Sequence, residues 1–128
     1  MPTFSLASEA KLATCDVRLR ELFHHVIADY DCTIICGHRG EAEQREAFRT
    51  GKSKLDWPNS KHNVRPSLAV DVAPCPIDWN DRSRFILFAG YVLGVGNLLG
   101  IPLRWGGDWD SNRTFNESFV DLVHFELV

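Results

Sequence analysis

Residues able to hold a metal ion or move a proton fall into two short stretches of this 128-residue chain. The first is SKHNVRPSLAVDVAP, Ser60 to Pro74, with His62 and Asp71. The second is DLVHFELV, Asp121 to Val128 at the C-terminus, with Asp121, His124 and Glu126. In the first, Leu68, Val70 and Val72 alternate with Ala69, Asp71 and Ala73, the period of a strand with one apolar face. Asp71 then shares a face with two alanines. A carboxylate there is costly to bury unless a cation or a donor meets it, and the alanines leave room for one. A metal ion is one such cation. Pro66 and Ser67 turn the chain before the strand, so His62 can come back over Asp71.

In the second stretch Val123, Phe125 and Leu127 alternate with His124 and Glu126, again a strand with chemistry on one face. Asp121 belongs in a turn or bulge just before it, from where its carboxylate reaches the same cavity. Two His and one Asp with a fourth position open to water is the catalytic arrangement of zinc. Neutral His with ionised Asp suits Zn2+ better than Mg2+ or Ca2+, which prefer oxygen shells.

The elements that must position these residues are legible in part. Asp16 to Tyr30 carries Val17, Leu19, Leu22, Phe23, Val26 and Ile27 at helical spacing, with Asp16 as N-cap. His24 and His25 are neighbours on it, about 100° apart, and read as surface histidines. Cys32 to Cys36 is a buried strand ended by Gly37-His38-Arg39-Gly40, which leaves Arg39 at a strand end. There it either projects into a cleft or pairs with a surface carboxylate. Glu41 to Thr50 is a polar helix stopped by Gly51, and Gln44 on it is a substrate contact, a support behind the site residues or part of a solvated face. Lys52 to Asn59 is a loop at the mouth of the site, and Lys61 beyond it is expected in solvent. After Pro74-Cys75-Pro76, Asp78 or Asn80 caps a helix from about Asp81 to Leu99, the main core element. Gly90, Gly94 and Gly96 inside it suggest close approach to the sheet. Leu103 to Trp105 is another strand, and Trp105 and Trp109 either wall a groove or belong to the core.

Length fits one domain spanning residues 1–128, and 14 Lys+Arg against 17 Asp+Glu, without a basic block, argues against a nucleic-acid partner. The apolar stretch from Phe85 to Leu103 is broken by glycines and Pro102 and reads as a core helix, so no membrane partner is expected. The N-terminus has no secretory pattern, which places the chain in the cytosol with Cys15, Cys32, Cys36 and Cys75 as free thiols, none of them a zinc ligand. The expected fold is α+β: two or three helices on one side of a small, mainly antiparallel sheet with the site on its open face.

Ser-x-His, Ala-x-Asp, Trp-Gly-Gly-Asp-Trp and a terminal Asp-x-x-His-Phe-Glu, in that order from roughly Cys32 onward, resemble the zinc D-Ala-D-Ala and L-alanyl-D-glutamate peptidases, including phage endolysins. The resemblance implies His62, Asp71 and His124 as zinc ligands and Asp121 as general base. Arg39, in a stretch like the family's Ser-Gly-x-Arg with Cys36 for Ser, would steady the scissile carbonyl oxygen. It further implies substrate contacts by Gln44, Trp105 and Trp109 and by Ser60, which either bonds substrate or fixes the His62 loop, while Glu126 either holds a ligand histidine's N–H or pairs structurally. The implied substrate is the peptidoglycan stem peptide, cut at the L-alanyl-D-glutamate bond by a monomeric lysin that waits in the cytosol for a pore. A D-Ala-D-Ala dipeptidase or carboxypeptidase, and a zinc-bearing binding module without turnover, are the alternatives. His62 and Asp71 are nine apart where the family usually has seven, so an extra bend is required near Arg65-Pro66.

Overall fold

The computed structural model describes residues 1–128. Helix α1 (Leu6–Leu12) and helix α2 (Val17–Asp29) precede strand β1 (Cys32–Cys36) and helix α3 (Glu41–Arg49). A 3-10 turn at Lys61–Asn63 leads to strand β2 (Ala69–Pro74), and helix α4 (Arg82–Leu99) is followed by strands β3 (Leu103–Trp105) and β4 (His124–Leu127). The fold is α+β, with four helices and one sheet of order β1-β2-β4-β3 in which every pairing is antiparallel.

Alternation sorts the sheet into two faces. Val70, Val72, Phe125 and Leu127 point to the core, where Phe23 of α2 and Phe88 of α4 meet Phe125 edge-on at 5.7 and 6.1 Å. Asp71, His124 and Glu126 therefore lie on the other face, with Asp71 opposite His124 and Ala69 opposite Glu126. Along β1 the register shifts between Ile34 and Cys36, which sets Cys36 opposite Asp71. That irregularity swings Gly37 and Arg39 toward the site face.

Helix α2 starts as read, with Asp16 accepting from the Arg18 amide at 2.9 Å. Helix α1 was not foreseen. Ser5 caps it, and the Ser8 hydroxyl accepts the Ile34 amide at 3.1 Å, tying α1 to β1. The cap of α4 is Asp81 rather than Asp78 or Asn80. Its glycines also differ from expectation. Gly96 does sit against Leu103, but Gly90 and Gly94 have open space beside them and line a cavity of about 650 Å³ between α4 and β3. The four cysteines are free, and His24 and His25 are exposed, His24 pairing with Glu9. No helix is long and apolar enough to cross a membrane.

Candidate active site

His62 stands on the 3-10 turn that Ser60 caps: the Ser60 hydroxyl accepts the His62 amide at 3.2 Å, and the Asn63 side chain accepts the Ser60 amide at 3.0 Å. Arg39 donates its amide to the His62 carbonyl at 2.8 Å, and Leu68 donates to the Lys61 carbonyl at 3.1 Å. These two bonds fold the loop back on β2. The bend that the nine-residue spacing demands lies between them, at Val64 to Pro66.

Three side-chain atoms then converge. His62 Nε2 lies 3.1 Å from Asp71 Oδ1 and 3.2 Å from His124 Nδ1, and His124 Nδ1 lies 3.2 Å from Asp71 Oδ1. The other ring nitrogens are already engaged. His62 Nδ1 donates to the Gly37 carbonyl at 2.7 Å, and His124 Nε2 donates to Glu126 Oε1 at 2.8 Å. Those bonds fix both tautomers and leave two lone pairs and a carboxylate oxygen pointing at one spot, the second-sphere arrangement usual for metal-binding histidines. A tetrahedral zinc with ligands at its normal distances has donor-to-donor edges of about 3.3 Å, close to this triangle. The residues present fit the ion.

Charge follows the same geometry. Burial opposes the charged form of His62, but the Asp71 charge and hydrogen bond outweigh it and raise its pKa to about 10. His124 is raised by Asp71 and Glu126 against the same burial. Asp71 is held well below the ordinary carboxylate range, the two histidines overcoming its burial. Its second oxygen, Oδ2, takes Arg39 at 3.3 Å. Asp121 goes the other way: burial, then the Asp71 charge, raises its pKa. Its carboxylate comes within 4.8 Å of the Asp71 and His124 donor atoms, from the turn in which the His124 amide bonds the Asp121 carbonyl at 3.1 Å.

Over this floor opens a cleft of about 430 Å³ lined by Arg39, Ser60, His62, Trp109, Asp121, His124 and Glu126. The Trp109 ring lies 5.4 Å from that of His124, stacked on Phe119. The larger cavity beside α4 contains neither histidine.

Residues 2–128 match the family of phage L-alanyl-D-glutamate peptidases. The chain belongs to that family. The L-alanyl-D-glutamate peptidase of Escherichia phage T5 is 31% identical over 134 residues, covering 98% of this chain and 97% of that protein. The crystal structure of the Serratia marcescens L-Ala D-Glu endopeptidase ChiX superposes with a TM-score of 0.77 at 26% identity, covering 98% of this chain and 90% of that one.

Three expectations are settled differently by the structure. Trp105 is 6% exposed, pairs with Phe125 on the core face and donates its indole N–H to the Leu122 carbonyl, so it does not wall the cleft. Gln44 is not part of a solvated face but a support of Arg39, another reading its sequence context allowed. It is fully buried, its oxygen accepting from Arg39 and Asn63 and its nitrogen donating to Ser53 and Leu55, which uses all its hydrogen-bonding capacity. Lys61 is not free in solvent but donates to the Leu127 carbonyl and pairs with Glu126 Oε2 at 3.1 Å.

Other site-supporting residues escaped the sequence reading. Gly37 accepts the His62 proton where any Cβ would collide with the Lys11 carbonyl and the Thr14 hydroxyl. Cys36 brings its thiol beside His62 and Asp71 but directs it to the Gly37 carbonyl at 3.5 Å. Asp108, Asp110 and Glu117 also cluster, in a loop that satisfies itself: Asp108 accepts the amides of Asn112 and Arg113, and Asp110 accepts from Asn112. The Asp-x-Asp-x-Asn spacing was visible in sequence as a signal of such a loop.

Proposed function

We propose that this chain hydrolyses the L-alanyl-D-glutamate bond of peptidoglycan stem peptides as a zinc peptidase of the phage endolysin type. Membership of the family carries the activity. The observation that carries the metal is the triangle of His62 Nε2, Asp71 Oδ1 and His124 Nδ1, three acceptors facing one another with both imidazole protons directed elsewhere.

His62, Asp71 and His124 would hold Zn2+, which would supply a Lewis acid for the water and the scissile carbonyl. Asp121, not needed to complete the triangle and raised in pKa, is the general base: it takes the proton of the attacking water and returns it to the departing amine. Arg39, anchored by Gln44 and Asp71, places positive charge beside the developing oxyanion. Glu126 orients His124 through Nε2. Trp109 offers an aromatic wall to the stem peptide, while Ser60 serves by holding the His62 turn. All of these residues come from one chain, so a monomer suffices.

Digestion of purified peptidoglycan with identification of the new termini by mass spectrometry tests the bond. New glutamyl amino termini support the reading, and D-alanyl termini would replace it with a carboxypeptidase. Metal analysis of His62→Ala tests the site, which should lose zinc and lysis together.

A further inference from the structure

The cleft is more positive than the chain. Five cationic side chains, Arg39, Lys52, Lys54, Lys61 and Arg104, line it with only Asp121 and Glu126 as carboxylates, in a protein whose formal charge is -3. Two of the cations are committed. Arg39 bonds Asp71 and Gln44, and Lys61 bonds Glu126 and the Leu127 carbonyl. Arg104 is different. It faces Glu126 across the β3–β4 pairing, but its nearest guanidinium nitrogen is 3.8 Å from Glu126 Oε2, beyond hydrogen-bond range.

Glu126 bonds His124 through Oε1 and Lys61 through Oε2, and at 3.8 Å it gives Arg104 a neighbouring charge but no hydrogen bond. The Arg104 Nε is buried without any partner, while the side chain as a whole stays 37% exposed at the cleft. An arginine that is held in place, partly desolvated and short of acceptors is a receptor waiting for an anion. Its planar fork matches an oxyanion such as a carboxylate.

The family's bond supplies one. A glutamyl residue joined to alanine through its nitrogen retains two carboxyl groups, and the continuing chain uses one. A free carboxylate therefore stands in the residue next to the scissile amide. Arg104 is opposite Glu126, two residues along β4 from His124, hence roughly 7 Å along the strand from the metal ligands. That is the scale of one residue of substrate.

Resting on the peptidase reading above, we propose that Arg104 is the specificity residue that binds the free carboxylate of the glutamyl residue at the scissile bond. The test uses two synthetic stem peptides, one with that carboxylate and one with a carboxamide in its place. The wild-type protein and Arg104→Met, Arg104→Lys and Lys54→Met are compared for kcat, KM and bound zinc. The wild-type protein should favour the acid about 10- to 100-fold in kcat/KM, the worth of a charged hydrogen bond, and mainly through KM. Arg104→Met should cut that preference to within about threefold by weakening the acid peptide, with zinc retained, and Arg104→Lys should restore part of it. Equal treatment of the two peptides by the wild-type protein would overturn the proposal. So would an equal loss on both in Arg104→Met, or a preference abolished by Lys54→Met and kept in Arg104→Met. If the wild-type protein cut neither peptide, the peptidase reading itself would fall.

Discussion

Gly106 and Asp121 are locked together through their backbones: the Asp121 amide donates to the Gly106 carbonyl at 2.8 Å, and a Cβ on Gly106 would collide with the Asp121 carbonyl. The Gly106 amide in turn donates to the His124 carbonyl at 2.8 Å. A glycine on β3's exit thus sets the height of Asp121, the proposed base, relative to His124, a proposed ligand. Gly106→Ala should push Asp121 out of place while leaving His62, Asp71 and His124 able to bind zinc. A shift of about 1 Å at a reacting group costs on the order of 10²-fold in rate. Lytic rate and zinc content measured on one preparation check this, and an unchanged rate would show that the contact positions nothing.

Gln44 provides a second expectation, of stability. Gln44→Ala strips partners from Arg39, Asn63 and Ser53 in a fully buried setting, and leaving such groups unsatisfied costs about 1–3 kcal/mol. Denaturant unfolding should show a loss of that size. The folded fraction should also be slower, because Arg39 loses one of its two anchors. A silent substitution would return Gln44 to the solvated face that its helix suggests.

The zinc-free protein should have a distinctive pH dependence. With no ion present a proton can occupy the triangle, and the Asp71 charge, against burial, raises the His62 pKa from 6.5 to about 10. The stabilisation from that raised value is fully present below about 6.5 and disappears as pH climbs through about 10. The melting temperature of chelator-treated protein should therefore fall between those limits, while zinc-loaded protein, in which the ion replaces the proton, should change less. A flat profile without zinc would mean that His62 does not feel Asp71 as described.

How much of this was open to sequence reading depended on periodicity. Strands β2 and β4 alternate strictly enough in sequence that Asp71, His124 and Glu126 could each be assigned to the polar face of its strand. Strand β3 has three residues, too few for alternation to say that Arg104 faces the cleft and Trp105 the core. Helix α1 buries only Ser8 and Leu12, so it has no apolar stripe to read. Gln44 stayed ambiguous in sequence because its partners come from Arg39, Ser53, Leu55 and Asn63, loop and strand-end residues that no helical spacing connects to it. Gly90 and Gly94 read as close contacts because helix propensity reports a cost, not what faces the missing side chain.

The central claim is that three residues hold the metal and a fourth, Asp121, does the proton chemistry. Asp121→Asn keeps the size and an acceptor oxygen but removes the charge that accepts a proton. Bound zinc, melting temperature and wall-lytic rate should be measured on the same Asp121→Asn preparation. The account predicts zinc retained at one per chain with turnover down roughly 10²- to 10⁴-fold, the usual contribution of a positioned acid or base. A normal lytic rate would remove Asp121 from the mechanism, and loss of zinc together with rate would make it a ligand instead.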